Sequence, residues 1–391
     1  MANISSVRTT ANILQNKRVV DMAKDIALLD PKVAPFLTIM KQLKRGTRVA
    51  IGPKVEWLED DYLGFSPQLN GAISATSTTT LNVDDGTIFR IGDIIHIPSV
   101  NENMLVTAVS GNALTVTRGY GSTTAQASIA DNAIVLIIGN ANEENAGARK
   151  AISTQELAKF NYTQIFRTPC QLSNTLLNTD VYGKKERAYQ RMKALNEHKM
   201  DIARAMYFGQ KKEDTTGAQV RRTMGGIMEF IKTGSNTQTF ASGGSGGAVN
   251  FTWKLFNEKV AKKAFLHGSS SKLLIAGGTT SAAMDAWAID KCYLPVDEEI
   301  FGLHIRKMVT TYGELKVLWD PLLDMCGYSD YGFILDMDKI KYVHLQNRDT
   351  KLNVDIQEND IDGVMDEYIT ECSIEVKNPD APFMFSGAYV G

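Results

Sequence analysis

Three stretches of this 391-residue chain carry residue types that chemistry could use. The first is Gly119-Tyr120-Gly121-Ser122-Thr123-Thr124, rich in glycine and hydroxyls like a loop that cradles phosphate. A phosphate loop also needs a Lys-Ser or Lys-Thr pair and a helix opening behind it. Neither follows here, so a turn between strands is expected. The second is Gly243-Gly244-Ser245-Gly246-Gly247, which has no helix start at the right distance and is expected to be linker. The third is the acidic run Asp355 to Gly363. Its carboxylates do not fall at the ligand positions of a calcium loop, nor its glycine at the turn position, so a solvated loop is expected.

Metal binding needs convergent ligands. The five histidines, His96, His198, His267, His304 and His344, sit in separate segments with no i,i+4 pair. The four cysteines, Cys170, Cys292, Cys326 and Cys372, form no Cys-x-x-Cys and are expected to be reduced thiols rather than a disulfide framework. The one Gly-x-Ser-x-Gly match, Gly243 to Gly247, lies in the stretch expected to be linker and is not read as a nucleophile elbow. A Cys–His pair brought together in space is the one nucleophilic arrangement left open. No catalytic, cofactor-binding or metal residue is assigned, and no cofactor is expected.

The elements that surround these residues are plentiful. Asn16 to Leu29 carries a helical apolar stripe closed by Asp30-Pro31, and Val33 to Met40 is a shorter apolar run. Arg48 to Trp57 alternates like a strand, with Asn161 to Leu172 as its expected return. Between them, residues 74–142 hold short β-type runs at Ile94–Ile97, Met104–Val109, Leu114–Thr117 and Ala133–Ile138, with a hairpin turn at Ser110-Gly111-Asn112. Lys184 to Phe208 is the longest helix signal. Its stripe Ala188, Met192, Leu195, Ile202 and Met206 is expected to pack on strands near Ile340–Leu345 and Tyr368–Val376. Arg191 and Arg204 would then lie on a flank that meets other subunits. From Asn250 the pattern alternates: a helix capped at Asn250 or Thr252, a strand at Lys272–Ala276, a helix at Thr280–Ile289, then strands at Tyr312–Asp320, Gly332–Ile340 and Tyr368–Val376.

A chain of this length points to two or three domains. Net charge is −2, which gives no global pull toward nucleic acid or membrane. No apolar run approaches the roughly 18 residues that span a bilayer, and the start lacks a signal peptide. Charge is uneven, however. Residues 1–50 hold nine Lys/Arg against three Asp, and residues 351–380 hold nine Asp/Glu against two Lys. Two readings follow: solvated faces of opposite sign, or a basic arm that docks on acidic surfaces of neighbouring copies or near nucleic acid.

The order of elements resembles the major capsid protein of tailed phages, with the Hong-Kong-97-type shell fold, an α+β architecture. The resemblance rests on Arg118-Gly119-Tyr120-Gly121-Ser122-Thr123-Thr124-Ala125, on Thr223-Met224-Gly225-Gly226-Ile227, and on Tyr312-Gly313 through Asp320-Pro321. The strand Glu371 to Asn378 and Pro379-Asp380-Ala381-Pro382 also fit. It implies an N-terminal arm over 1–46, an extended-loop hairpin over 47–73 and 143–172, and an inserted small β-barrel or sandwich over 74–142. A peripheral domain with a long spine helix would cover 173–235 and 340–391, and an axial domain 236–339. It further implies a virion protein, assembled in the host cytoplasm, that forms hexamers and pentamers of an icosahedral head around double-stranded DNA. Portal, decoration and scaffolding proteins would be partners, with packaged DNA held by non-specific electrostatic contact and no membrane contact. The arm begins at residue 1 without a long coiled coil, so a separate scaffolding protein is expected. Relatives that crosslink through Lys and Asn have no matching motif here. Another phage structural protein of the tail or decoration type, or an enzyme with an unrecognised site on the α/β part, is the alternative.

Overall fold

A computed structural model describes residues 34–42, 47–145, 147–180, 185–240, 251–291, 298–300 and 303–388. The helix expected at Asn16–Leu29, the glycine run 243–247 and Cys292 lie outside them. Two compact units result: residues 58–158, and the residues before and after that span.

The larger unit is built on two sheets. In the first, the long strand Gly363–Val376 is central. Gln164–Ser173 pairs with it antiparallel, from Gly363 opposite Ser173 to Cys372 opposite Gln164. Ile340–Leu345 and Lys351–Asn353 pair along its other edge, and Thr47–Ala50 adds on parallel to Ile340–Leu345. Successive side chains on a strand face opposite ways. On one face of the central strand, Cys372, Ile374 and Val376 enter the core. The other face carries Glu367, Glu371 and Glu375.

The helix Glu186–Phe208 packs against Gln164–Ser173 and Gly363–Val376. Its buried side chains are Ala194, His198, Ile202, Ala203, Met206 and Tyr207. The expected stripe is therefore right at its C-terminal end and wrong at its N-terminal end: Met192 is 49% exposed and Leu195 is only half-buried. Two features rotate the face. A polar residue, His198, takes a core position because two hydroxyls bond it. The first turns are held by Arg187 and Arg191 reaching Asp366, rather than by apolar contact.

The second sheet has seven strands, in the order Thr237–Thr239, Phe383–Ser386, Gly332–Leu335, Ser271–Ala276, Glu314–Trp319, Leu303–Val309, Glu298–Ile300. Ser271–Ala276 runs parallel to Glu314–Trp319, and Thr237–Thr239 parallel to Phe383–Ser386. The remaining pairs are antiparallel. Its inner strands are covered on both faces and so read as continuous apolar runs. Leu273, Ile275, Phe333 and Leu335 join the core beneath the long helix. Leu274, Ile334 and Phe385 face a helical run from Trp253 to Ala264, whose middle, Phe256–Ala261, is π-helical. Phe383–Ser386 thus crosses into this sheet, whereas the sequence reading kept 340–391 together.

In the unit 58–158, five antiparallel strands run in the order Thr80–Asn82, Ala113–Thr117, Glu102–Ser110, Asp93–Ile97, Leu136–Asn140. Segment 67–73 closes the two edges together: Leu69 bridges Val83, while Gln68 bridges Ile134 and Ile73 bridges Ile129. Leu69, Ile95, Ile97, Met104, Val106, Leu114 and Val135 fill the interior. The two-residue turn Gly111-Asn112 joins the hairpin as expected. The barrel begins earlier than residue 74, because Leu69 and Ile73 are part of its core.

Arg48–Trp57 is not one strand. Pro53 cannot donate to a ladder, and the chain changes partners around it. Thr47–Ala50 joins the first sheet, while Lys54–Glu59 pairs with Leu157–Tyr162 in a separate two-stranded ribbon. Of the expected return Asn161–Leu172, Asn161 and Tyr162 lie on the ribbon strand, while Gln164 onward pairs with the central strand instead.

Candidate assembly surfaces

The sequence-flagged glycine run proves to be the cover of a buried ion pair. Gly119 and Gly121 take left-handed backbone (φ 62° and 75°), folding the loop back over Glu102. Arg118 donates to both Glu102 oxygens at 2.7 and 2.8 Å and to the carbonyls of Thr78 and Gln126. Glu102 also accepts the backbone N–H groups of Gly119 and Gln126. Burial alone would raise the Glu102 carboxyl, but the hydrogen bonds from Arg118, Gln126 and Gly119 hold it below its ordinary range. The motif is a clamp inside the barrel.

The motif after the long helix has an equally physical basis. Asn161 donates to the carbonyls of Gly225 and Ile374 and accepts the Gly225 N–H at 2.7 Å. A Cβ on Gly226 would lie 2.8 Å from Gly209 N, Met206 O and Tyr207 O, so no larger residue fits against the helix end. At Asp320-Pro321, Asp320 caps the short helix Pro321–Met325 through the Leu322 N–H and accepts a hydrogen bond from Tyr207 at 2.7 Å.

The acidic C-terminal run is divided: Asp355, Glu358, Asp360, Asp362 and Asp380 are exposed, and the other four are not. Asp366, Glu367, Glu371 and Glu375 are buried, and each is ion-paired within the chain. Asp366 takes Arg187 and Arg191, both at 2.7 Å. Glu367 takes Arg167 at 2.6 Å, Glu371 takes Arg348 at 2.7 Å, and Glu375 takes Arg48 at 2.5 Å. Within the N-terminal basic stretch, Arg48 and Lys41 are thereby engaged at home, Lys41 with Asp349 at 3.1 Å. Arg191 is likewise not a free flank; Arg204 pairs only with exposed Asp201. Asp355 meets Arg187 and Asp362 accepts from Asn174, so the loop flagged for calcium is used structurally.

Three of the histidines are held by separate local hydrogen bonds. His96 bonds Asn103, and His344 bonds the Leu345 carbonyl. His198 is bonded by Thr168 and Thr370 at 2.9 and 2.7 Å, and burial pushes its pKa down. Cys170, Cys326 and Cys372 are separate free thiols. Among the described residues no group of His, Cys, Asp or Glu is placed to hold a metal, and no helix is long and apolar enough to cross a membrane.

An α/β sheet commonly binds ligands at the carboxyl ends of its parallel strands, against a helix N-terminus. Here that position, at the end of Ser271–Ala276 and the start of helix Gly278–Lys291, is filled from within. Asp324 accepts the Gly278 N–H at 2.6 Å and the Trp319 indole N–H at 2.8 Å.

What is left open is apolar surface. In the unit 58–158, Leu58, Tyr62, Phe65 and Leu157 are exposed, Tyr62 at 96%. Glu59-Asp60-Asp61 lies among them. Exposed aromatic side chains rimmed by charge mark contact with another macromolecule rather than a small-molecule pocket.

Comparison with known proteins agrees with an assembly role. Residues 4–388 match the family described as SU10 major capsid protein. The major capsid protein of Pseudomonas phage PaMx41 is 30% identical over 302 residues, covering 74% of this chain and 70% of that one. A solved chain from Mycobacterium phage Bobi superposes with a TM-score of 0.50 at 7% identity, over 95% of this chain and 96% of its own. The capsid structure of the cyanophage P-SCSP1u gives a TM-score of 0.47 at 10% identity, over 98% and 99% of the two chains. With two sheets and a long helix in its larger unit and a sequence matched over residues 4–388, this chain belongs to the SU10 major capsid protein family and is a phage major capsid protein with the Hong-Kong-97-type fold.

Proposed function

We propose that copies of this chain close into hexamers and pentamers of an icosahedral head that encloses double-stranded DNA. Assembly would take place in the host cytoplasm with a separate scaffolding protein, and portal and decoration proteins would complete the particle. In this reading the long helix and five-stranded sheet form the peripheral domain, and the seven-stranded sheet forms the axial domain. The barrel from about residue 67 to 140 is a module inserted into an extended loop. The protein's work is assembly, with no catalytic step.

The observation that carries this reading is the set of exposed apolar side chains Leu58, Tyr62 and Phe65. A two-stranded ribbon such as Lys54–Glu59 with Leu157–Tyr162 is marginal alone, and Leu58, Tyr62 and Phe65 lie outside every core cluster. Such side chains gain their burial from a neighbouring copy. Quasi-equivalent contacts also favour a segment whose fold does not depend on one fixed partner geometry.

The test is a double variant, Tyr62→Ser with Phe65→Ser. Surface changes away from a core shift stability by roughly 0.5 kcal/mol, so the subunit should keep its circular dichroism spectrum and melting curve while closed particles are lost. Normal particles from a folded double variant would remove this segment from the assembly surface.

A further inference from the structure

The helical run Trp253–Ala264 has a face that neither the fold nor the assembly reading uses. Its inward side chains Phe256, Val260, Ala261 and Ala264 are buried against the seven-stranded sheet. Its outward side chains are Lys254, Glu258, Lys259, Lys262 and Lys263, all exposed. These five are exposed where Phe256, Val260, Ala261 and Ala264 are buried, so they lie on the side of the run turned away from the sheet. Four lysines against one glutamate make a local net charge of +3 in a chain of net charge −2.

The long helix Glu186–Phe208 shows how charges on a helix surface are balanced elsewhere in this protein. There Lys193 pairs with Glu197, Arg204 with Asp201, and Arg187 and Arg191 with Asp366. On Trp253–Ala264 the single carboxylate, Glu258, approaches Lys254 at 3.9 Å. Among the described residues, Lys259, Lys262 and Lys263 have no carboxylate partner. A row of like charges at i,i+3 and i,i+4 spacing costs helix stability unless something external balances it.

We propose that this lysine face is a sequence-independent binding surface for duplex DNA. Lys254 to Lys263 is nine steps along the run, at most about 14 Å at the α-helical rise of about 1.5 Å. One DNA strand carries a phosphate about every 3.4 Å of helix axis, so about four phosphates face about four lysines. Lysine suits this use: a compact charge on a flexible stem meets a phosphate without a fixed geometry, so no base is read and any sequence is accepted. The inference rests on the reading of the chain as a shell around DNA, and it names the face that meets the DNA.

The test uses the full chain as unassembled subunits, wild type beside Lys254→Gln/Lys259→Gln/Lys262→Gln/Lys263→Gln. Glutamine keeps helix propensity close to that of lysine, and none of the four side chains is buried. Binding to a short duplex is measured by fluorescence anisotropy across a sodium chloride series. Each lost phosphate contact lowers the slope of log K against log salt by about 0.9, so the quadruple variant should show a slope shallower by about 3 to 4 and weaker binding at low salt. An unchanged slope overturns the proposal. So does a variant that loses affinity for poly-glutamate while keeping its DNA slope, since the face would then serve an acidic protein. Electron microscopy of the same two proteins separates the readings. Closed particles with an unchanged slope sink the DNA face alone. A lysine-dependent slope with no particles under any condition sinks the shell reading and leaves the DNA face standing.

Discussion

At the scale of single residues, the chain is held by charges it keeps for itself. Asp366 is about 1% exposed in its side chain and sits between two guanidiniums. Hydrogen bonds from Arg187, acting against burial and joined by Arg191, hold its pKa far below the ordinary carboxylate range. His198 is depressed for a different reason: burial disfavours its cation, with a small opposing pull from Asp201 and a small push from Lys41. Both groups have folded pKa values below their unfolded ones, so each contributes stability that is full above the unfolded value and lost as pH falls. The windows differ. The His198 contribution begins to fade below about pH 6.5, and that of Asp366 below about pH 4. Urea midpoints taken from pH 7.5 down to pH 3 should therefore fall in two stages. His198→Gln should flatten the upper stage and leave the lower one. A variant that keeps the full slope between pH 6.5 and 5 would show that another group titrates there.

None of this pairing was legible in the sequence. Arg187 and Arg191 lie 179 and 175 residues from Asp366 along the chain, and Glu102 meets Arg118 across a barrel whose closure depends on segment 67–73. Local periodicity carries no information about such pairs, so Asp366, Glu367, Glu371 and Glu375 could not be told from the exposed carboxylates of the same acidic run. The glycines of the motifs were visible as glycines, but the reason for Gly226, the close approach of the Met206 and Tyr207 carbonyls, exists only in the folded chain.

At the scale of elements, the long helix was legible to within two residues at its start and none at its end, because twenty-odd residues without Gly or Pro and with a 3.6-residue apolar period admit little else. Its orientation was legible only in part. A hydrophobic stripe drawn through Leu195 omits His198, and a polar residue in a core position is invisible to an apolar pattern. The correction makes a sharp contrast. Leu195→Asp is now expected to be tolerated, with the subunit soluble and folded, since the side chain is half in solvent. Ile202→Asp, at a position buried in the main core, should leave an unpaired charge costing several kcal/mol, a large part of a domain's total of about 5–15 kcal/mol. Soluble yield and melting temperature read the difference. Equal loss in both variants would restore the sequence-drawn face. The expected hairpin strand failed at Pro53 for an equally local reason: the chain cannot continue one ladder through a residue without a donor, and it changes sheets there.

At the scale of the whole molecule, the C-terminal residues knit the larger unit together. Gly363–Val376 is the middle of one sheet, and Phe383–Ser386 lies inside the other, with only residues 377–382 between them. A single uninterrupted core runs from Phe36 and the long helix through both sheets to Met384. That core belongs to the larger unit alone; exposed for contact with neighbours are the side chains of Leu58, Tyr62 and Phe65 in the other unit and the charged outer faces of the helices. The order of elements in the sequence was enough to suggest a shell protein, because that order is set by local signals. Electron microscopy of the full chain, co-expressed with the other head proteins, is the decisive measurement. Closed icosahedral particles built from rings of six and five copies are the expected result. A protein that stays a small discrete oligomer under every assembly condition would contradict the account.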